Sequence, residues 1–167
     1  ALFGYDVTIY EANEKAGGVL TYGIVPSRLP QEVVDFDIAT IEKLGVTFKF
    51  NETIDAARLE ELKAEYDAVF VGTGLWKSKV IDIPGKDLDG VVSAIDFLKD
   101  ARLNKENMTL GDTVLVIGGG DVAMDCVTTA KQLGAKATIV YRRTIEEAPA
   151  DIDEVMAVQS MGIPIIQ

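Results

Sequence analysis

Thr113-Val114-Leu115-Val116-Ile117-Gly118-Gly119-Gly120-Asp121-Val122-Ala123 is the stretch whose reading decides the fold. An apolar, β-branched run is followed at once by glycines. A helix-period stretch, Met124 to Leu133, comes next and Gly134 closes it. A second buried-strand run, Ala137-Thr138-Ile139-Val140-Tyr141, then ends in Arg142-Arg143. The order is strand, glycine turn, helix, strand, which is the first βαβ of a dinucleotide-binding fold. Gly118 allows a sharp turn off the strand, and Gly120 has no Cβ to keep the backbone from a pyrophosphate. Ala123 takes the third, small position, where helix meets strand. The helix N-terminus then aims its N–H groups and positive dipole end at the phosphates.

The arginine pair refines the ligand. An NAD site ends its second strand in a carboxylate for the ribose 2′-OH, about 20 residues after the glycines. Here that place holds Arg142 and Arg143, and two cations suit a 2′-phosphate, so the reading is NADP(H) rather than NAD(H). The plain alternative is a surface arginine pair capping a strand, beside glycines that only make a turn.

Composition narrows the rest. The net charge of −11 argues against nucleic acid or an anionic membrane surface as the main partner. No apolar run reaches the roughly 18 residues of a membrane-spanning helix, and no signal peptide is visible, so the expected compartment is the cytoplasm. The sequence has no histidine, which excludes His-based catalysis and His-ligated metals. Its one cysteine, Cys126, sits in the glycine-turn helix and reads as a small core residue. No metal site and no protein nucleophile are expected.

Outward from the centre, Tyr5 to Glu11 reads as another strand, with a carboxylate, Glu11, at its end to bind an adenosine ribose. This is the second strand of a nucleotide-binding βαβ whose first strand and glycine loop are not in the sequence. Together with the opening at Ala1 and the close inside Ile163-Pro164-Ile165-Ile166-Gln167, it reads as an internal piece of a longer protein. Gly17-Gly18-Val19-Leu20 reads as a loop whose glycines permit close approach to a ligand. Pro30 is placed for a first helical turn, and Val33, Val34, Ile38, Ile41 and Leu44 share one helical face stopped by Gly45. Val46 to Phe50 reads as a strand. Asp55 should cap a helix over 56–65, and Asp67 to Val71 reads as a buried strand entering Gly72-Thr73-Gly74. Residues 75–90 read as an irregular connection. Ser93 should cap a helix to about Leu103, and Asn104 to Asp112 is a polar loop. A last helix is expected from Ile152 to Met161. The fold class is therefore α/β and Rossmann-like: a partial dinucleotide-binding domain over 1–92 and an NADP-type domain with a parallel sheet over 93–167.

Taken in order, Glu11, Gly17-Gly18-Val19-Leu20, Gly23-Ile24, Arg28-Leu29-Pro30, Gly72-Thr73-Gly74, Ile117 to Asp125, Tyr141-Arg142-Arg143, Glu146-Glu147 and Pro149-Ala150 make a recognisable series. The chain resembles the glutamate synthase small (β) subunit family, which includes the NADPH-accepting part of dihydropyrimidine dehydrogenase and the large subunit of ferredoxin–NADP transhydrogenases. The resemblance implies an FAD domain with an NADP domain inserted. NADPH would reduce the flavin, and electrons would leave through iron–sulfur centres of a partner, an iron–sulfur protein or an amidotransferase large subunit. It implies that Glu11 binds the FAD ribose, that Gly18, Val19 and Leu20 line the flavin side, and that Arg28 contacts FAD phosphate or ring edge. It further implies that Gly119, Gly120, Asp121 and Val122 hold the NADP pyrophosphate, and that Arg142 and Arg143 hold the 2′-phosphate. The family's first glycine loop, N-terminal cysteines and flavin-closing C-terminal segment have no counterpart in these residues. The 167-residue chain is therefore expected to retain no FAD and to self-associate over exposed faces.

Two other readings compete with an electron-transferring oxidoreductase. One is a non-catalytic dinucleotide-binding fragment. The other, a disulfide reductase of the thioredoxin-reductase kind, needs a C-x-x-C pair, and Cys126 is alone.

Overall fold

Residues 1–79 and 81–167 are described by a computed structural model. They divide into two units: Ala1–Tyr22 with Pro26–Leu75, and Gly23–Val25 with Trp76–Gln167. The irregular connection expected over 75–90 includes Val80, which lies outside the described residues.

In the first unit, β1 (Thr8–Glu11) pairs in parallel with β2 (Thr47–Phe50), placing Glu11 opposite Phe50. Between them lie α1 (Val19–Tyr22) and α2 (Gln31–Lys43), and α3 (Ala56–Glu65) follows β2. Pro30 stands at the cap of α2 rather than inside its first turn. Asp55 starts α3 as expected: its carboxylate accepts the Arg58 N–H at 2.8 Å, satisfying one of the donors every helix leaves open.

The core of this unit is small. Ala16, Tyr22, Val34 and Leu62 are its buried apolar residues. Of the expected apolar face of α2, only Val34 is fully buried, while Val33 and Leu44 stay half-exposed. A short α1 and a two-stranded sheet are too narrow to cover the whole stripe. The loop expected at Val19-Leu20 is instead the start of α1. Thr21 Oγ1 donates to the Ala16 carbonyl at 2.7 Å, and the Tyr22 hydroxyl accepts the Lys15 N–H at 2.9 Å. Gly17 is required there: its φ is +108°, and a Cβ would stand 2.2 Å from Thr21 Oγ1.

Asp67–Val71 corrects the sequence reading. It is not a strand, and Phe70 is 95% exposed. A buried strand needs neighbours, and no strand of the described residues pairs with this one. Leu59 and Lys63 of α3, Tyr66 at its C-terminal cap and residues 67–69 and 71 line an open groove of about 440 Å³, which none of the candidate site residues touches.

In the second unit, α4 (Ala94–Leu103), β3 (Thr113–Ile117), α5 (Asp121–Gln132), β4 (Lys136–Val140), α6 (Ile152–Ser160) and β5 (Ile165–Ile166) follow in order. The three strands form one parallel sheet, β3-β4-β5, with Val114 opposite Ala137 and Val116 opposite Ile139. This is the 3-2-1 half of a Rossmann-like sheet, and the chain is an α/β protein with parallel sheets. Ser93 caps α4 by accepting the Asp96 N–H at 3.1 Å. Residues 23–25 join this unit: the Arg102 guanidinium donates to the Ile24 carbonyl, and Val25 packs on the core.

That core is larger. Phe97, Leu98, Met124, Cys126, Val127, Ala130, Ala137, Ile139, Val155, Val158 and Ile163 form one cluster from α4, α5, α6 and the sheet. β3 is half-buried where the apolar run suggests full burial: Leu115 and Ile117 are 62% and 53% exposed. Side chains alternate across a strand, and α5 packs on the face that carries Val114 and Val116. Among the described residues no helix is long and apolar enough to cross a membrane.

Candidate dinucleotide site

The glycine turn is tied to the sheet on one side and to α5 on the other. The Gly118 N–H donates to the Val140 carbonyl at 3.1 Å, continuing the β3–β4 ladder by one residue. The N–H groups of Ala123 and Met124 return to the Gly120 carbonyl at 2.8 and 3.2 Å. α5 therefore begins at Asp121, three residues before the apolar periodicity that announces it. Asp121 carries no hydrophobic signal and Val122 is exposed, so these two residues lie off the apolar face that marks the rest of the helix. Gly120 caps the helix without a side chain. Among the described residues, the backbone N–H groups of Gly119, Gly120, Asp121 and Val122 have no acceptor. Four successive donors at the positive end of a 12-residue helix make a place for an anion. At Gly118 a Cβ would come within 3.3 Å of the Ala123 Cβ, so both positions are held small.

The segment after β4 folds back on this turn. Tyr141 follows the last residue of β4, and its N–H still donates to the Ile166 carbonyl at 2.8 Å. Its ring lies against Gly119, where a Cβ would stand 2.7 Å from ring atoms Cδ2 and Cε2. Its hydroxyl donates to the Glu147 carbonyl at 3.1 Å. Beyond a 3₁₀ turn at Ile145–Glu147, the Ala150 N–H donates to the Gly119 carbonyl at 3.1 Å. The Asp151 N–H donates to Asp121 Oδ1 at 2.8 Å. Arg142 and Arg143 lie exposed at the start of this returning segment. These residues, Gly118 to Ala123 with 141–151, are the constellation that the second unit brings together. From the sequence Tyr141 is legible only as a strand end, and Asp151 carries no sign of a part in the site. A glycine triplet followed some twenty residues on by an aromatic at the strand end was the available signal.

The other candidate residues belong to the first unit. Glu11 ends β1, and its Oε1 accepts both the backbone N–H and the Nδ2 of Asn13, each at 2.8 Å. This holds the carboxylate at the strand end, where an adenosine ribose is read in dinucleotide folds. Gly18 is a partly buried turn residue just before α1, Val19 and Leu20 are its exposed first residues, and Arg28 is exposed in the loop before α2.

Thiol chemistry is remote from this arrangement. Cys126 is 3% exposed on the inner face of α5. Burial, and then the charge of Asp125, push its thiol up to about 12. It stays a protonated core side chain at neutral pH.

A sequence model of the pyridine nucleotide-disulphide oxidoreductases matches residues 1–165. The chain belongs to that family. It is 45% identical over 165 residues to the NAD-dependent dihydropyrimidine dehydrogenase subunit PreT of Escherichia coli K12, covering 98% of this chain and 40% of that one. It is 35% identical over 180 residues to the glutamate synthase [NADPH] small chain of Azospirillum brasilense, covering 98% of this chain and 36% of that one. The chain thus spans about two fifths of the length of these two relatives, and the group it resembles in sequence is among them. In structure it superposes on 2-naphthoyl-CoA reductase in complex with 2-naphthoyl-CoA with a TM-score of 0.76 at 23% identity, covering 99% of this chain and 24% of that one. That likeness places the fold.

Proposed function

We propose that the chain is part of an NADPH-dependent FAD oxidoreductase of the glutamate synthase small-subunit kind, and that its second unit carries the NADP(H) site. The observation that carries the reading is the row of open N–H groups at Gly119 to Val122, in the same unit as Arg142 and Arg143. The N–H row and the α5 dipole suit a pyrophosphate, and the guanidinium pair suits a 2′-phosphate. One relative's name carries NAD and another's NADPH, so the arginine pair is the residue-level argument for NADP(H). Glu11, Gly18, Val19, Leu20 and Arg28 supply one side of an FAD site, Glu11 by accepting from a ribose hydroxyl.

A bound flavin would supply the hydride-accepting and single-electron chemistry. The chain's own residues bind and orient, and no side chain need act as nucleophile. With one buried, protonated cysteine, these residues supply no disulfide chemistry. The electrons go to iron–sulfur centres of a partner, an iron–sulfur protein or an amidotransferase large subunit. The relatives bear the names of a dehydrogenase subunit and a synthase small chain. Glutamate biosynthesis in the cytoplasm is the favoured setting, with pyrimidine reduction or ferredoxin-linked transhydrogenation as the alternatives.

Two measurements test this. The full-length protein, loaded with FAD, should lose its visible flavin absorbance on anaerobic addition of NADPH. An unchanged spectrum contradicts the oxidoreductase reading and favours a binding-only protein. The 167-residue chain, purified without added FAD, should show no flavin band, and a bound flavin contradicts that part.

A further inference from the structure

The dinucleotide reading assigns Arg142 and Arg143 to a 2′-phosphate, but it leaves open what holds them in place. Among the described residues, no hydrogen bond or ion pair fixes either guanidinium. Their position is set by the backbone, and that backbone is bolted on both sides. Before them, Tyr141 is fixed by its N–H to Ile166 and by its ring against Gly119. After them, the Thr144–Glu147 turn closes on itself: the Glu147 N–H donates to the Thr144 carbonyl at 3.0 Å, and Glu147 Oε2 accepts from the Thr144 N–H and hydroxyl, both at 3.4 Å. The Tyr141 hydroxyl reaches across to the Glu147 carbonyl, so residues 141–147 form a closed loop with the arginines inside it. The end of the segment is then sewn to the glycine turn through Ala150 to Gly119 and Asp151 to Asp121.

We propose that Tyr141 and Asp121 are positioning residues: they hold the segment 141–151 against the glycine turn and thereby fix Arg142 and Arg143 for reading a 2′-phosphate. The proposal rests on the dinucleotide reading and deepens it. Its physical content is a coupling. The turn that receives the pyrophosphate and the pair that receives the 2′-phosphate belong to one bolted unit, so their spacing is set before the ligand arrives. Preset spacing avoids the cost of ordering the loop backbone on binding, and leaves only the two arginine side chains to be ordered by the ligand. Asp121 also acquires a role distinct from that of its backbone N–H. Its carboxylate faces the Asp151 N–H and so is committed to the loop.

The test is calorimetric titration of the 167-residue chain with adenosine 2′,5′-bisphosphate and adenosine 5′-phosphate. Two variants are used, Tyr141→Phe and Asp121→Ala, so that misfolding of one, seen by circular dichroism, leaves the other to decide. Tyr141→Phe keeps the ring and removes one hydrogen bond. Each variant should weaken the bisphosphate by about threefold to tenfold, the range for one lost hydrogen bond, relative to its effect on the monophosphate. Asp121→Asn, which keeps an acceptor for the Asp151 N–H, should restore the preference that Asp121→Ala loses. Equal weakening of both ligands, or an unchanged preference in both variants, overturns the proposal, since a merely structural role would not separate them. A wild-type chain with no preference for the bisphosphate overturns the 2′-phosphate reading itself, and the proposal with it.

Discussion

The ring of Tyr141 occupies the space that a side chain at Gly119 would need, with a Cβ there only 2.7 Å from two ring carbons. The ring has little freedom to give way, because the Tyr141 hydroxyl is bonded to Glu147 and its N–H to Ile166. Gly119→Ala should therefore destabilise the fold by about 1–3 kcal/mol, the usual cost of overpacking. Urea denaturation checks this, and a change under about 0.5 kcal/mol, the level of a neutral surface substitution, would mean that the ring moves freely.

Gly120 should behave differently, although it is the next residue. A Cβ there meets only Pro149 Cγ, at an ordinary 3.8 Å, and the φ of −98° suits any residue. Gly120→Val should fold normally by circular dichroism and fail to bind NADPH by calorimetry, because the added methyls enter the space of the pyrophosphate. Unchanged NADPH affinity would place the ligand elsewhere.

Cys126 gives a prediction with a pH sign. Burial raises the folded thiol to about 12, above its ordinary value, so the folded chain holds no reactive thiolate at pH 8 and reacts only when unfolded. An alkylating reagent at pH 8 should label Cys126 in urea and leave it unlabelled in buffer. The raised value also means that the folded thiol holds its proton over a window where the unfolded thiol releases it. Its contribution to stability is present below the unfolded value near 8.5 and is lost as pH rises through the folded one. Rapid labelling in buffer would contradict the buried placement.

How much of this was legible in the sequence depended on how local each feature is. Asp55 and Ser93 were read as caps and are caps, because a cap is settled within four residues. The order β3, glycine turn, α5, β4 was read because apolar period and glycine punctuation coincide. Asp67–Val71 departs from its strand reading because an apolar run states only what a segment would bury, and no strand of the described residues pairs with it. α1 was missed because four residues are too few to show a helical period. The Tyr141–Gly119 contact follows from the pairing of Ile117 with Val140, which sets the ends of β3 and β4 side by side, and that register is a property of the sheet rather than of either residue.

On the proposed reading, Arg142 and Arg143 hold a 2′-phosphate while the glycine turn holds the pyrophosphate. Calorimetric titration of the chain with NADPH and NADH, in wild type and in the Arg142→Ala, Arg143→Ala double variant, tests it most directly. Charge-assisted hydrogen bonds contribute about 1.5–3 kcal/mol each, so the variant should bind NADPH at least about tenfold more weakly. Its NADH affinity should stay within about twofold of wild type, because NADH offers those arginines no phosphate. Equal losses for both cofactors, or a wild-type chain that binds NADH as tightly as NADPH, would contradict the claim.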